Sequence, residues 1–197
     1  MLFMVEETDM RKRSLGMVVI VLMAVSLFTP AFLCEASAKS SAQVDARLVK
    51  RIRHELATLP YYGVYDWLEF EVRPDNTVVL RGQVVRPTTK SDAEARVKDI
   101  DGVKGVINEI EVLPLSPQDD RLRTALYRTL YNWDSPLFRY ATQSIPSIHI
   151  IVKNGRATLK GIVDSKGDAQ LAYMRARGVP GLFDVKSELV VSSDMAQ

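Results

Sequence analysis

Apolar residues recur along the first half of the chain at two spacings, and each spacing predicts one kind of element. Residues 48–59 carry Leu or Ile at every third or fourth position, which predicts an amphipathic helix that Pro60 ends. Apolar and acidic residues alternate over 68–72, which is the pattern of a strand with one solvated face. Further strands are expected at 78–84 and 106–112. These patterns predict a helix followed by a small sheet.

A second helix is predicted between the last two of these strands. Ser91–Glu94 form a capping-box pattern, so we expect the helix to begin there. Gly102 lies where a helix commonly ends. The first half of the chain therefore reads helix, strand, strand, helix, strand.

The same order of elements returns in the second half. Ile148–Val152 and Ala157–Val163 flank Asn154-Gly155, and this dipeptide is a strong hairpin signal. Asp168–Arg177 predicts a helix, and Val185–Val191 predicts the closing strand.

Three short motifs recur in register, which indicates a tandem repeat. The motifs are 45–48 with 119–122, 79–84 with 158–163, and 102–106 with 178–182. We predict an α+β protein with two tandem αββαβ units, each a three-stranded mixed sheet that two helices cover on one face. The predicted divisions are a first domain at 45–112, a linker at 113–118, a second domain at 119–191 and a tail at 192–197.

The N-terminal segment has the organisation of a secretory signal. A basic cluster at 11–13 precedes an uncharged, almost wholly apolar run at 15–28, and small residues follow at 36–38. We predict a signal peptide over 1–38, and therefore export. Two alternatives stay open, namely an uncleaved N-terminal anchor and lipid modification of Cys34.

Composition weakens most enzyme classes. The single cysteine excludes a disulfide framework, and the two histidines, His54 and His149, lie too far apart for a local metal motif. The sequence contains no P-loop, no Gly-x-Gly-x-x-Gly motif and no serine-histidine-aspartate set. A net charge of +2 gives no argument for nucleic acid. We expect no catalytic residue, no metal and no cofactor.

The order of elements resembles the BON domain of bacterial envelope proteins. The residues that carry the resemblance are a glycine after the second strand, Gly82 and Gly161, and a Gly-Val-x-Gly segment before the last, at 102–105 and 178–181. The resemblance covers about 45–191. It implies a non-catalytic periplasmic or envelope protein that binds phospholipid surfaces or envelope proteins and contributes to envelope integrity or stress tolerance. It also implies a role for Asn108 in the last strand, which the second copy does not match.

Charge differs between the two copies and favours the second as a membrane-binding unit. Residues 45–112 carry 11 basic and 12 acidic residues, a net of −1, whereas residues 119–191 carry 11 and 7, a net of +4. Cations near an anionic headgroup layer are favourable. The candidate lipid-binding residues of the second copy lie around its hairpin and its second helix, and those of the first copy lie on its first helix. They are Lys153, Arg156, Lys160, Lys166, Arg175 and Arg177, with Arg47, Lys50 and Arg51.

Other residues have a structural interpretation or leave alternatives open. We expect structural roles for six glycines, Gly82, Gly102, Gly105, Gly161, Gly178 and Gly181. Aromatic residues cluster after each first helix, at 61–67 and 131–140, and suit either a bilayer interface or the rim of a small core. The partner is expected to be an anionic phospholipid surface, with assembly onto other envelope proteins as the alternative. The oligomeric state stays open.

Overall fold

The computed structural model describes residues 46–143 and 145–195, and the predicted signal peptide lies outside them. The described residues from Leu48 onward form one compact unit that contains both repeats. The first repeat consists of α1 (46–57), β1 (Trp67–Val72), β2 (Thr77–Val84), α2 (Pro87–Lys98), β3 (Gly105–Asn108) and β4 (Glu111–Val112).

The sheet of the first repeat is mixed. Strand β1 pairs antiparallel with β2, and β3 and β4 both pair parallel with β2. Its third position is therefore filled by two short strands, where the sequence predicts one strand at 106–112. The side chain of Asn108 accounts for the interruption, because its Oδ1 accepts the N–H of Ile110 and its Nδ2 donates to the carbonyl of Lys90 at 3.0 Å.

Helix α2 begins earlier than the predicted start at Ser91. Pro87 occupies the first turn, where a missing N–H costs nothing. Ser91 lies inside the helix, and its hydroxyl donates to the carbonyl of Pro87 at 3.2 Å and of Thr88 at 3.0 Å. The predicted capping box is therefore wrong.

The second repeat consists of α3 (Pro117–Leu130), a 3₁₀ helix (Pro136–Ala141), β5 (Ile148–Lys153), β6 (Arg156–Val163), α4 (Lys166–Arg177) and β7 (Asp184–Val191), and a second 3₁₀ helix (Ser192–Met195) follows it. Strand β5 pairs antiparallel with β6, and β7 pairs parallel with β6. Serine caps both helices. The Ser116 hydroxyl accepts the N–H of Asp119 at 3.2 Å, and the Ser165 hydroxyl accepts the N–H of Asp168 at 3.1 Å.

Each repeat has its own hydrophobic core between its helices and one face of its sheet. The first core includes Leu48, Ile52, Leu56, Val78, Leu80, Val84, Ala93 and Val97. The second includes Leu122, Leu126, Leu130, Ile148, Ile150, Val152, Leu159, Ala172 and Ala176. The predicted α+β class and the two tandem units with three-stranded mixed sheets are confirmed.

The segment that we expected to be a linker is closely tied to both repeats. Leu113 is buried and donates its N–H to the carbonyl of Val84 at 2.8 Å. Pro117 and Gln118 already belong to α3. Leu115, by contrast, is exposed.

Candidate functional site

The two repeats meet on the sheet faces that point away from their helices. On β5, Ile148 and Ile150 face the core, so His149 faces the first repeat. Its ring lies 5.1 Å from the ring of Trp67, edge to face. The N–H of Ile150 donates to the carbonyl of Val64 at 2.7 Å. The loop before β1 thus binds the edge of the second sheet.

Opposite charges face each other across this contact. Lys160 on β6 lies 3.4 Å from Glu69 of the first repeat and 3.2 Å from Glu188 on β7. Lys153 pairs with Glu111 of the first repeat. Basic residues of the second repeat therefore form ion pairs with acidic residues of the first. Two residues that the sequence assigned to a lipid surface, Lys153 and Lys160, have carboxylate partners within the chain.

A cleft of about 460 Å³ lies beside these ion pairs. Side chains of both repeats line it, among them Gln83 and Leu113 from one side and Arg156 and Thr158 from the other. Arg156 is exposed and has no ion-pair partner within the described residues. Both carboxylates that line the cleft, Glu111 and Glu188, form ion pairs with lysine.

His149 is 6% exposed and lies between two aromatic rings of the first repeat. The ring of Tyr62 is 5.7 Å away on one side, and Trp67 occupies another. Its Nδ1 has no hydrogen-bond partner within the described structure. Burial lowers the pKa of His149 below its usual 6.5, because the charged imidazolium loses hydration.

Asp66 holds the same loop, a role that no sequence pattern indicates. Its carboxylate accepts the N–H of Gly63 at 3.1 Å and the N–H of Val85 at 2.7 Å. Burial raises the pKa of Asp66, although both hydrogen bonds oppose the shift. Asp66 therefore fixes the loop that contacts the second repeat.

The helices of the second repeat lie on the face of its sheet opposite the ion pairs with the first repeat, and their exposed surface is basic. Helix α3 also touches the first repeat at one side, where the ring of Tyr127 lies 6.4 Å from that of Tyr65. Along α4, the exposed residues Lys166, Gln170, Met174 and Arg177 recur at helical spacing and share one face. Met174 is 57% exposed between the two cations. Arg175 donates to the carbonyl of Thr129 at 3.3 Å, which links α4 to α3.

Helix α3 adds two cations that the sequence reading missed. Arg121 and Arg128 are both exposed and lie seven residues apart, hence on one face. The seven-residue spacing could have indicated these two arginines, but the sequence candidates were chosen from the basic residues around the hairpin and the second helix. Within the described residues, no ion pair involves these two cations or Lys166, Arg175 and Arg177, although Arg177 lies over the ring of Tyr173.

The three candidate cations of the first repeat are exposed on α1. Arg51 pairs with Asp101 at 3.5 Å, an exposed contact that contributes little. Arg47 and Lys50 have no ion-pair partner within the described part of the chain.

The aromatic clusters divide between core and surface. Tyr131 and Tyr140 are buried, and the hydroxyl of Tyr131 donates to the carbonyl of Ile148 at 2.6 Å. Trp133 is 79% exposed, and its ring lies 4.7 Å from that of Phe138. The second repeat therefore presents an exposed aromatic pair just after α3.

The six glycines do not share one structural requirement. Gly82 and Gly161 have φ of 125° and 126°. A Cβ at Gly82 would overlap the carbonyl oxygen of Trp67 on β1, and one at Gly161 would overlap that of Ser147, just before β5. Gly102 and Gly181 also have positive φ, 98° and 90°. Gly105 and Gly178 do not. Glycine is therefore sterically required at one position in the second strand of each repeat, Gly82 in the first and Gly161 in the second.

The described part of the chain has neither a metal-binding cluster nor a membrane-spanning helix. Over 46–143 and 145–195, no three His, Cys, Asp or Glu side chains lie close enough to hold a metal ion. No helix within that part is long and apolar enough to cross a membrane.

Comparison with known proteins gives a family match and two distant structural similarities. A family model described as the BON domain matches residues 44–114 and again 119–193. The chain is similar to CdsD, a structural protein of the Type III secretion system of Chlamydia trachomatis, with 14% identity, a TM-score of 0.29, and coverage of 76% of this chain and 95% of that one. A second structure, of the C-terminal domain of CdsD, has 14% identity, a TM-score of 0.27, and coverage of 73% and 96%. These structural similarities carry no functional argument. No curated protein matches.

Proposed function

The chain belongs to the BON domain family, a family of non-catalytic modules in envelope-associated proteins, and we propose that its second repeat binds anionic phospholipid surfaces. The binding surface is the helical layer of α3 and α4. The observation that carries this proposal is the distribution of cations that lack an acidic partner.

Ion pairs within the chain separate the basic residues of the second repeat into two groups. Lys153 and Lys160 neutralise carboxylates at the contact between the repeats. Four cations are exposed on the two helices without an ion-pair partner in the described residues, namely Arg121, Arg128, Lys166 and Arg177. Arg175, by contrast, is half-buried and binds the carbonyl of Thr129. Two of the three acidic residues on these helices, Asp119 and Asp168, are buried, and the third, Asp120, pairs with Arg123. The helical layer therefore presents net positive charge.

Apolar side chains accompany these cations. Met174 projects between Lys166 and Arg177, and Trp133 stands exposed beyond the end of α3. Tryptophan is favourable at the headgroup level of a bilayer because its ring is apolar and its N–H is polar. Each cation close to an anionic surface contributes about 1 kcal/mol. Four exposed cations are enough for reversible, salt-sensitive binding.

Export is part of the same proposal. A signal peptide over 1–38 would release a mature chain from Lys39, on the periplasmic side of a bacterial inner membrane. Retention of the apolar segment at 15–33, which nearly reaches the length of a bilayer-spanning helix, would tether the same two repeats to that membrane. Both routes bring the helical layer to a phospholipid surface.

The test is sedimentation of residues 39–197 with vesicles of rising phosphatidylglycerol content. We expect the bound fraction to rise with phosphatidylglycerol and to fall as salt is raised, because salt screens exposed charges. A bound fraction that changes with neither phosphatidylglycerol content nor salt concentration would contradict the proposal. Absence of binding to every vesicle would favour the alternative, a module that assembles with envelope proteins.

A further inference from the structure

Strand β7 forms one end of the second sheet. All eight residues, Asp184–Val191, pair with β6, and the order of the sheet is β5-β6-β7. Within the described residues, no backbone group of β7 bonds to a further strand. An unpaired edge of this length is a template for pairing with another chain.

The equivalent edge of the first repeat is blunted. Asn108 interrupts it, so β3 has four residues and β4 has two. Such interruptions protect an edge from pairing. In the register with the second strand, Ser187 takes the place of Asn108, since Leu80 pairs with Asn108 and Leu159 with Ser187. Serine cannot hold the same interruption, and β7 continues unbroken.

The two faces of β7 carry different side chains, apolar ones towards the core and charged ones on the opposite face. Val185 and Leu189 contact the second core, with Ser187 between them on the same face. Lys186 and Glu188 lie on the opposite face. The strand therefore carries one cation and one anion at equal distances on either side of Ser187.

We propose that β7 binds β7 of a second copy of this chain, antiparallel and centred on Ser187. Residues that oppose each other across an antiparallel pair direct their backbone N–H and C=O groups either both towards the partner strand or both away from it. The two-fold axis of the pair must therefore pass through a residue and not between two residues. Centring on Ser187 places Lys186 of each copy opposite Glu188 of the other, and Val185 opposite Leu189. Centring one residue to either side opposes Lys186 with itself or Glu188 with itself. Charge thus favours this register over its two neighbours, and the pairing joins two three-stranded sheets into one of six strands.

The first experiment measures the dimerisation constant of the full chain by sedimentation equilibrium in mild detergent. We expect Lys186→Glu to weaken the dimer about tenfold, because it creates two like-charge pairs with Glu188. Adding Glu188→Gln removes both like-charge pairs without placing a cation beside Lys160, and is expected to recover most of the lost affinity. Lys98→Glu, an equal change of charge on α2, serves as the control and is expected to leave the dimer unchanged.

The second experiment maps the centre of symmetry without reversing a charge. Cys34→Ser leaves no cysteine in the chain, and Ser187→Cys then places a single thiol on the proposed axis. Facing Cβ atoms in an antiparallel pair lie about 4.5–5.5 Å apart, close to disulfide distance. Under an added thiol oxidant, we expect rapid covalent dimerisation of Ser187→Cys and slow dimerisation of the matched variant Gln170→Cys on α4. A monomeric native chain, a Lys186→Glu variant that dimerises like the native chain, or equal rates for both cysteines would overturn the proposal.

Discussion

The ammonium nitrogen of Lys160 lies 3.4 Å from a carboxylate oxygen of Glu69, and so links the second repeat to the first. The same nitrogen lies 5.8 Å from the centre of the Trp67 ring. The side chain of Lys160 is only 17% exposed. These contacts give Lys160 a role in holding the repeats together and explain why the proposed membrane surface lies elsewhere.

Reversal of charge at Lys160 is expected to destabilise the protein. Lys160→Glu would bring a third carboxylate beside Glu69 and Glu188, and we expect a loss of about 1–3 kcal/mol in the free energy of unfolding. Arg156→Glu is the control, since Arg156 lies on the same strand without an acidic partner in the described residues. Urea unfolding measures both. Equal losses in the two variants would contradict the role of Lys160.

Gly161→Ala is expected to cost at least about 2 kcal/mol of unfolding free energy. The new Cβ would overlap the carbonyl of Ser147, and the backbone there has a φ of 126°. Gly105→Ala is the matched comparison, because Gly105 has no positive φ and its Cβ would meet only Thr77 side-chain atoms, the nearest at 3.9 Å. Thermal unfolding of both variants is the measurement. A Gly105→Ala variant as unstable as Gly161→Ala would show that strand glycines matter for another reason.

Asp119 is expected to be worth more to stability than its position at a helix start suggests. Its carboxylate is buried and accepts the N–H of Asn154 at 2.9 Å and of Gly155 at 2.8 Å, so it ties α3 to the hairpin turn. Asp119→Ala would leave these N–H groups unpaired, at a cost of about 1–3 kcal/mol. Asp134→Ala, an exposed acid in the same repeat, should change little, and denaturant unfolding would detect a reversal of this order.

Stability is expected to fall as the solution is acidified below the usual pKa of histidine. Because burial lowers the pKa of His149, the unfolded chain takes up a proton between the usual value of 6.5 and the lower native value, whereas the folded chain does not. The stabilising contribution of neutral His149 is therefore complete above about pH 6.5 and is lost as pH drops towards the native pKa. The loss amounts to about 1.4 kcal/mol per unit of difference between the two pKa values.

The control is His149→Phe, which keeps an aromatic ring beside Tyr62 and Trp67 but does not titrate. Unfolding of both proteins is compared from about pH 7.5 to about pH 5.5. Asp66 acts in the opposite sense, because its raised pKa favours the folded state as pH falls towards 3.8, and both proteins retain it. Identical pH profiles would show that His149 does not carry the effect.

Sequence patterns identified the architecture because its causes are local. The alternation of 68–72 and the Asn154-Gly155 turn depend on neighbouring residues, and both elements lie where they were expected. The break at Asn108 was missed because it depends on a bond to Lys90, eighteen residues away. The start of α2 was missed because Ser91 fits a capping pattern, whereas Pro87 offers an earlier start.

Candidate surface residues were harder to assign, since charge counts do not show which charges meet. The sequence shows that the second repeat has a net charge of +4. It does not show that Lys153 lies beside Glu111, because the two residues are forty-two positions apart. Arg121 and Arg128 could have been selected from their helical spacing. Because Lys153 and Lys160 form ion pairs with distant residues, the candidate lipid-binding cations lie on the helices of the second repeat and not on its hairpin.

The most direct test of this account compares two double charge reversals in the vesicle assay. Lys166→Glu with Arg177→Glu changes the helical layer of the second repeat, and Lys98→Glu with Lys104→Glu makes the same change of charge at exposed positions of the first. We predict that the first pair abolishes binding to phosphatidylglycerol vesicles and that the second pair reduces it by no more than about twofold. Equal losses from the two pairs, or native binding after the first, would contradict the assignment of the lipid surface to the helices of the second repeat.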